Sequence, residues 1–257
     1  MPPARLVTTH CKNRAVAVWC RNRLRTAHRH SDSDGFARGC NPETPITAIR
    51  STKFVATSIQ AIAAAAATAL DQIADMIVRT ELRRSTYFSD KLDAEVYFKL
   101  ENQQTTGSFK LRGASNKLLQ LSEAERRRGC VAASSGNHGA AVACAMQKMN
   151  VRGVIFVPEQ TSSAKVAKIR SYGGDVKFFG SDGLDTEQHA RQYAADNDMQ
   201  YLSPYNDASV VAGQGTCGVE ILQDLPDVDA VFVAVGGGGL IAGTGSVLKS
   251  SRPATQI

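Results

Sequence analysis

The chain has 257 residues, 43% of them hydrophobic and 21% charged, with a formal net charge of +6. That length and apolar content suffice to bury one large core or two small ones and exclude an intrinsically disordered polymer. The most apolar stretch, Ala61–Leu70, is brief and mostly alanine, so it reads as a helix and not as a bilayer span.

The basic excess lies at the N-terminus, where residues Met1 to His30 include seven Lys or Arg and no acid. Because the excess is not spread over the rest of the chain, nucleic acid is not expected as a partner. Residues 1–55 have little apolar periodicity and read as a basic, disordered extension or as a misassigned start. An organelle transit peptide is the alternative, weakened by scarce serine and the lack of an amphipathic helix. The cysteines Cys11, Cys20, Cys40, Cys130, Cys144 and Cys217 form no Cys-x-x-Cys pair. Reduced thiols are the simpler reading, which fits a cytoplasmic protein.

The alanine-rich pattern predicts a helix over residues 58–79, then a loop and short helix to residue 92 and a strand over 96–100. From there the chain alternates. Strands are predicted over 129–133, 153–157, 175–179 and 230–235, and helices over 139–149, 163–171, 184–197 and 208–222. Such alternation defines an α/β fold of parallel sheets covered by helices.

Three motifs carry chemistry. Ser108-Phe109-Lys110-Leu111-Arg112-Gly113-Ala114 offers Lys110, an amine able to condense with a carbonyl and, when desolvated, to act as a base near neutral pH. Ser134-Ser135-Gly136-Asn137-His138-Gly139 joins a predicted strand to a predicted helix, and its hydroxyl, amide and N–H groups suit a carboxylate; alone, it would read as a capped turn. Gly236-Gly237-Gly238-Gly239-Leu240 also follows a strand and opens a helix, which suits a phosphate. Residues Gly237, Gly239 and Ala242 also match a relaxed dinucleotide fingerprint, but no acidic ribose-binding residue follows. His138 and His189 lack the spacing of a metal site, and no metal ligand is assigned.

In this order the three motifs resemble those of the fold-type II pyridoxal-phosphate enzymes, the family of serine and threonine dehydratases and serine racemase. The resemblance runs from about Ile59 to Arg252 and takes in Val96-Tyr97-Phe98-Lys99-Leu100-Glu101-Asn102. It also covers Arg79-Thr80-Glu81-Leu82, where the family usually has proline in place of Glu81. It implies two interleaved parallel-sheet domains like those of the tryptophan synthase β subunit. Residues 56–130 and 202–257 would form a large cofactor-binding domain, and residues 131–201 a small mobile one.

The resemblance further implies pyridoxal 5′-phosphate held by Lys110, with Phe109 near its ring, Asn137 at its ring oxygen and Gly236 to Leu240 at its phosphate. Ser134, Ser135, Asn137 and His138 would bind an amino-acid substrate. Lys110 would remove the α-proton, and the Ser135 hydroxyl on the opposite face would bear on whether racemisation accompanies elimination. The implied activity is dehydration and deamination of L-threonine or L-serine, with serine racemase as the alternative and a β-replacing synthase as a more distant one. Family members continue beyond the position of Ile257 with further strands, so the chain reads as lacking its C-terminal part. A non-catalytic remnant is therefore a third possibility, and a homodimer is implied if a full-length chain exists.

Overall fold

A computed structural model describes residues 4–11, 14–19 and 58–257 of the chain. Two sheets organise it. One is four-stranded, ordered β7-β6-β5-β8, from β5 (Cys130–Ala133), β6 (Gly153–Val157), β7 (Asp175–Phe178) and β8 (Gln200–Tyr201). Every pairing in it is parallel. Connections between the strands run through α5 (Asn137–Lys148), α6 (Ser163–Arg170) and α7 (Gly183–Asp196), as parallel pairing requires. The second sheet is five-stranded and mixed, containing β1 (Ala4–Cys11), β2 (Arg14–Trp19), β3 (Leu82–Arg84), β4 (Ala94–Lys99) and β9 (Ala230–Phe232). In it β1 runs parallel to β4 and β9, while β2 and β3 pair antiparallel.

Within the segment expected as an extension, β1 and β2 are thus strands; the rest of residues 1–57 lies outside the described residues. The predicted helix over 58–79 is shorter in the structure. Ser58 caps α1 (Ile59–Gln72) by accepting the Ala61 N–H, and a 3₁₀ turn follows at Ala74–Met76. Beyond that turn the backbone N–H and C=O of Val78 are taken by the side-chain amide of Gln104, both at 2.8 Å, so Val78 is not helical.

Besides β1 and β2, the elements that were not predicted include β8 and α3 (Lys110–Gln120). β8 has only two residues, too few for any period to register. α3 is amphipathic in an unusual way, since Arg112, Ser115 and Asn116 are buried beside Leu111, Ala114 and Leu118. Its apolar side joins α5 and β6 in the largest core cluster, which includes Ala141, Ala145, Ile155 and Val157. A second cluster unites Val96, Ile221, Val231 and Leu248 from β4, α8 (Ala208–Asp224), β9 and α9 (Gly239–Ser251).

α8 and α9 approach each other unusually closely. A Cβ on Gly243 would lie 2.2 Å from the Val211 carbonyl oxygen and 2.6 Å from the Gly215 nitrogen, both fixed backbone atoms. Gly243→Ala is therefore expected to lower stability by about 1–3 kcal/mol through overpacking. A fall in the urea unfolding midpoint at unchanged slope would show it.

Candidate active site

The strands β5 and β9 both end in turns that open helices. Ligands in open α/β sheets bind at such carboxyl ends of strands. Lys110 is the first residue of α3 and is half-buried. Its Nζ donates to the Pro204 carbonyl at 2.6 Å and lies 5.2 Å from the Phe109 ring centroid. Phe109 packs with Leu240, Cys217 and Val233, so the lysine motif and the glycine motif share one small apolar cluster. Burial pushes the Cys217 thiol well above its ordinary range, so it stays protonated and serves as packing.

Two residues beyond Lys110, Arg112 is fully buried. Its guanidinium donates to both oxygens of Glu101 at 2.8 and 2.9 Å, to both oxygens of Glu220 at 2.8 Å, and to the Thr216 hydroxyl at 3.1 Å. Lys99, also fully buried, pairs with Glu220 and donates to the Thr80 carbonyl, while the Thr80 hydroxyl donates to Glu101. Two cations and two carboxylates therefore balance within one hydrogen-bonded cluster that joins β4, α3 and α8. Burial alone would raise the Glu101 carboxyl, but the Arg112 charge and hydrogen bonds prevail and hold it below the usual range. Glu81, at the position where the family usually has proline, pairs at the surface with Arg83.

The second motif bends before α5. The Ser134 hydroxyl accepts the Gly136 N–H at 3.1 Å, and Ser135 and Asn137 are half-buried beside it. His138 is buried, and its Nε2 donates to the Leu202 carbonyl at 2.9 Å, which fixes the neutral tautomer. Burial, opposed by that hydrogen bond and assisted by the nearby Lys110 charge, lowers its pKa to about 4.

The glycine motif caps α9 with Gly238 in the left-handed region at φ +83°, a conformation that costs glycine nothing. Above Gly236 and Gly238 there is open space. The first N–H groups of α9 have no acceptor within the helix and point out of its positive end.

Sequence reasoning did not reach two further groups of residues. Leu202 and Pro204 supply the carbonyls that receive His138 and Lys110, yet backbone acceptors leave no mark on a sequence. On the other side, Lys168 and Tyr172 reach from α6 and its C-terminal turn to the carbonyls of Thr106 and Thr105, both at 2.9 Å. Those carbonyls immediately precede the lysine motif.

Residues 73–257 match the family model for pyridoxal-phosphate dependent enzymes, and the chain belongs to that family. The catabolic L-threonine dehydratase TdcB of Escherichia coli is 42% identical over 191 residues, covering 74% of this chain and 57% of that protein. The processed form of threonine deaminase isoform 2 from Solanum lycopersicum superposes with a TM-score of 0.72 at 34% identity, over 77% of this chain and 54% of that one. Maize serine racemase does so with a TM-score of 0.71 at 29% identity, over 75% and 59%. The fold is thus the fold-type II α/β architecture, and the chain spans a little over half the length of these relatives.

Breaking the buried charge cluster from one side leaves an uncompensated ion. Glu220→Ala is expected to cost about 3–5 kcal/mol, measured as loss of the unfolding midpoint. For His138 the direction follows from its two pKa values, 6.5 ordinarily and about 4 in the fold. Between them the unfolded chain binds the additional proton, so stability falls as pH drops through that window. His138→Asn should flatten the dependence, seen as a smaller difference between urea midpoints at about pH 7 and about pH 5.

Proposed function

We propose that the protein is a pyridoxal-phosphate-dependent lyase that dehydrates and deaminates L-threonine or L-serine, giving 2-oxobutyrate or pyruvate and ammonia. The observation that supports this reading is that Lys110 and His138, from two of the motifs, both donate to the Leu202–Pro204 segment, while Phe109 beside Lys110 packs on Leu240 of the third. The 42% identity to a threonine dehydratase supports the choice of substrate class.

When bound, the cofactor supplies a carbonyl for the substrate amine and an electron sink for the bond broken at Cα. The N–H groups of Gly236 to Leu240, at the positive end of α9, would take its phosphate, and a Cβ on Gly236 or Gly238 would meet nothing within 4 Å on that side. Phe109 would close the apolar side and Asn137 would meet the ring oxygen. Ser134, Ser135, Asn137 and His138 would orient the substrate carboxylate, with His138 acting through the turn it anchors to Leu202.

Lys110 stands at the head of this arrangement and is the group we assign to accept the α-proton. Its Nζ already faces an acceptor, the Pro204 carbonyl, in a half-buried position where water is limited. Ser135 favours a second reading, serine racemase, because its hydroxyl would offer a proton from the opposite side; the similarity to maize serine racemase supports it.

Lys110→Ala is expected to lower α-keto acid release from L-threonine by at least about 10²–10⁴-fold, the range of a lost acid–base group, and to abolish the covalent cofactor absorbance. Release of keto acid without D-serine from L-serine supports the lyase. D-serine as the main product would install the racemase instead, and a folded protein with no lysine-dependent absorbance would remove both.

A further inference from the structure

The segment from Leu202 to Asp207 touches all three motifs, although it contains none of their residues. Its carbonyls receive Lys110 and His138. Its third contact is made by Tyr205, whose ring lies against the glycine turn. A Cβ on Gly237 would sit 2.2 Å from Cδ1 and 2.4 Å from Cγ of that ring, and a Cβ on Gly239 would sit 3.1 Å from the Tyr205 Cα. A Cβ on Gly236 or Gly238 would meet nothing within 4 Å. The turn therefore has two faces, one seated on Tyr205 and the other open.

Tyr205 is 38% exposed, and the backbone on either side of it is anchored. Ser203 is buried, and its hydroxyl accepts the Asn206 N–H at 3.0 Å. Asp207 caps α8 through the N–H groups of Ser209 and Val210 and pairs with Lys117 of α3 at 2.8 Å. A turn of four glycines has more backbone freedom to lose than any other sequence. Something outside it must hold its N–H groups in one arrangement; Phe109 packs on Leu240 at its end, and Tyr205 is seated against Gly237 and Gly239.

We propose that Tyr205 is a positioning residue, whose ring backs the Gly236–Leu240 turn and keeps its N–H groups aligned on the open face for a phosphate. This rests on the reading of that turn as the phosphate site. It accounts for glycine at 237 and 239 by packing, while Gly238 is set by its φ of +83° and, with Gly236, lies on the open side. The ring does the work and the hydroxyl does not, so Tyr205→Phe should behave as the parent.

The test uses the full chain and compares the parent with Tyr205→Ala, Tyr205→Phe, Gly237→Ala and the Gly237→Ala/Tyr205→Ala pair. Amide hydrogen exchange over residues 236–240 is measured without ligand, and affinity is measured by titration with pyridoxal phosphate. Tyr205→Ala should speed exchange in the turn and weaken cofactor binding, each by about tenfold, while Tyr205→Phe restores both. Gly237→Ala should weaken binding in the parent background but add little once Tyr205 is alanine, because the collision is gone.

Parent-like exchange and affinity in Tyr205→Ala would overturn the proposal, as would a Phe variant as defective as the Ala variant. An equal effect of Gly237→Ala in both backgrounds overturns it even where the single alanine variant folds poorly. If the parent takes up no pyridoxal phosphate, the phosphate reading fails and the assigned role falls with it, whereas the exchange data still report whether the ring orders the turn.

Discussion

Everything at the site hangs on four buried charges. Moving an ion from water into a protein interior costs several kcal/mol, and the mutual attraction of a pair offsets it only when all donors and acceptors are matched. Lys99, Glu101, Arg112 and Glu220 meet that condition because the planar fork of Arg112 serves two carboxylates at once and Lys99 closes the remaining side. By contrast, the Arg127–Glu123 pair on α4 (Glu123–Arg128) is largely exposed, a setting in which ion pairs contribute about 0–1 kcal/mol. The buried cluster is what forces β4, α3 and α8 into a single mutual arrangement, and it does so two residues from Lys110.

From that fixed point the rest of the site follows by short steps. The start of α3 is pinned, so Phe109 lands on Leu240 and Val233. The turn after β5 is pinned through His138, a neutral imidazole used as a hydrogen-bond donor deep in the fold. The family recurs in proteins named as dehydratases, deaminases and racemases, so one frame serves several outcomes.

Much of this was legible in the sequence, and the reasons are physical. Strands such as β6 and helices such as α7 and α8 matched their predicted ranges within a residue or two because their turn chemistry was plain, with Asp182 and Asp207 as caps. The turns that open α5 and α9 were legible because serine, asparagine and glycine after an apolar strand mark a helix start. The roles of Lys99, Glu101 and Arg112 were not legible, since a charged residue looks solvated until its partner is known, and Glu220 lies 108 positions from Arg112. Tyr205 was equally silent, because contact between a ring and a backbone has no periodicity.

The bonds from α6 and its C-terminal turn to the loop before Lys110 have a mechanical meaning. Thr105 and Thr106 give their carbonyls to Tyr172 and Lys168 on one side, while Gln104 is clamped to Val78 on the other. The peptide between these anchors is short and ends at the lysine. A tilt of α6 would thus pull, through Lys168 and Tyr172, on the backbone that leads into Lys110.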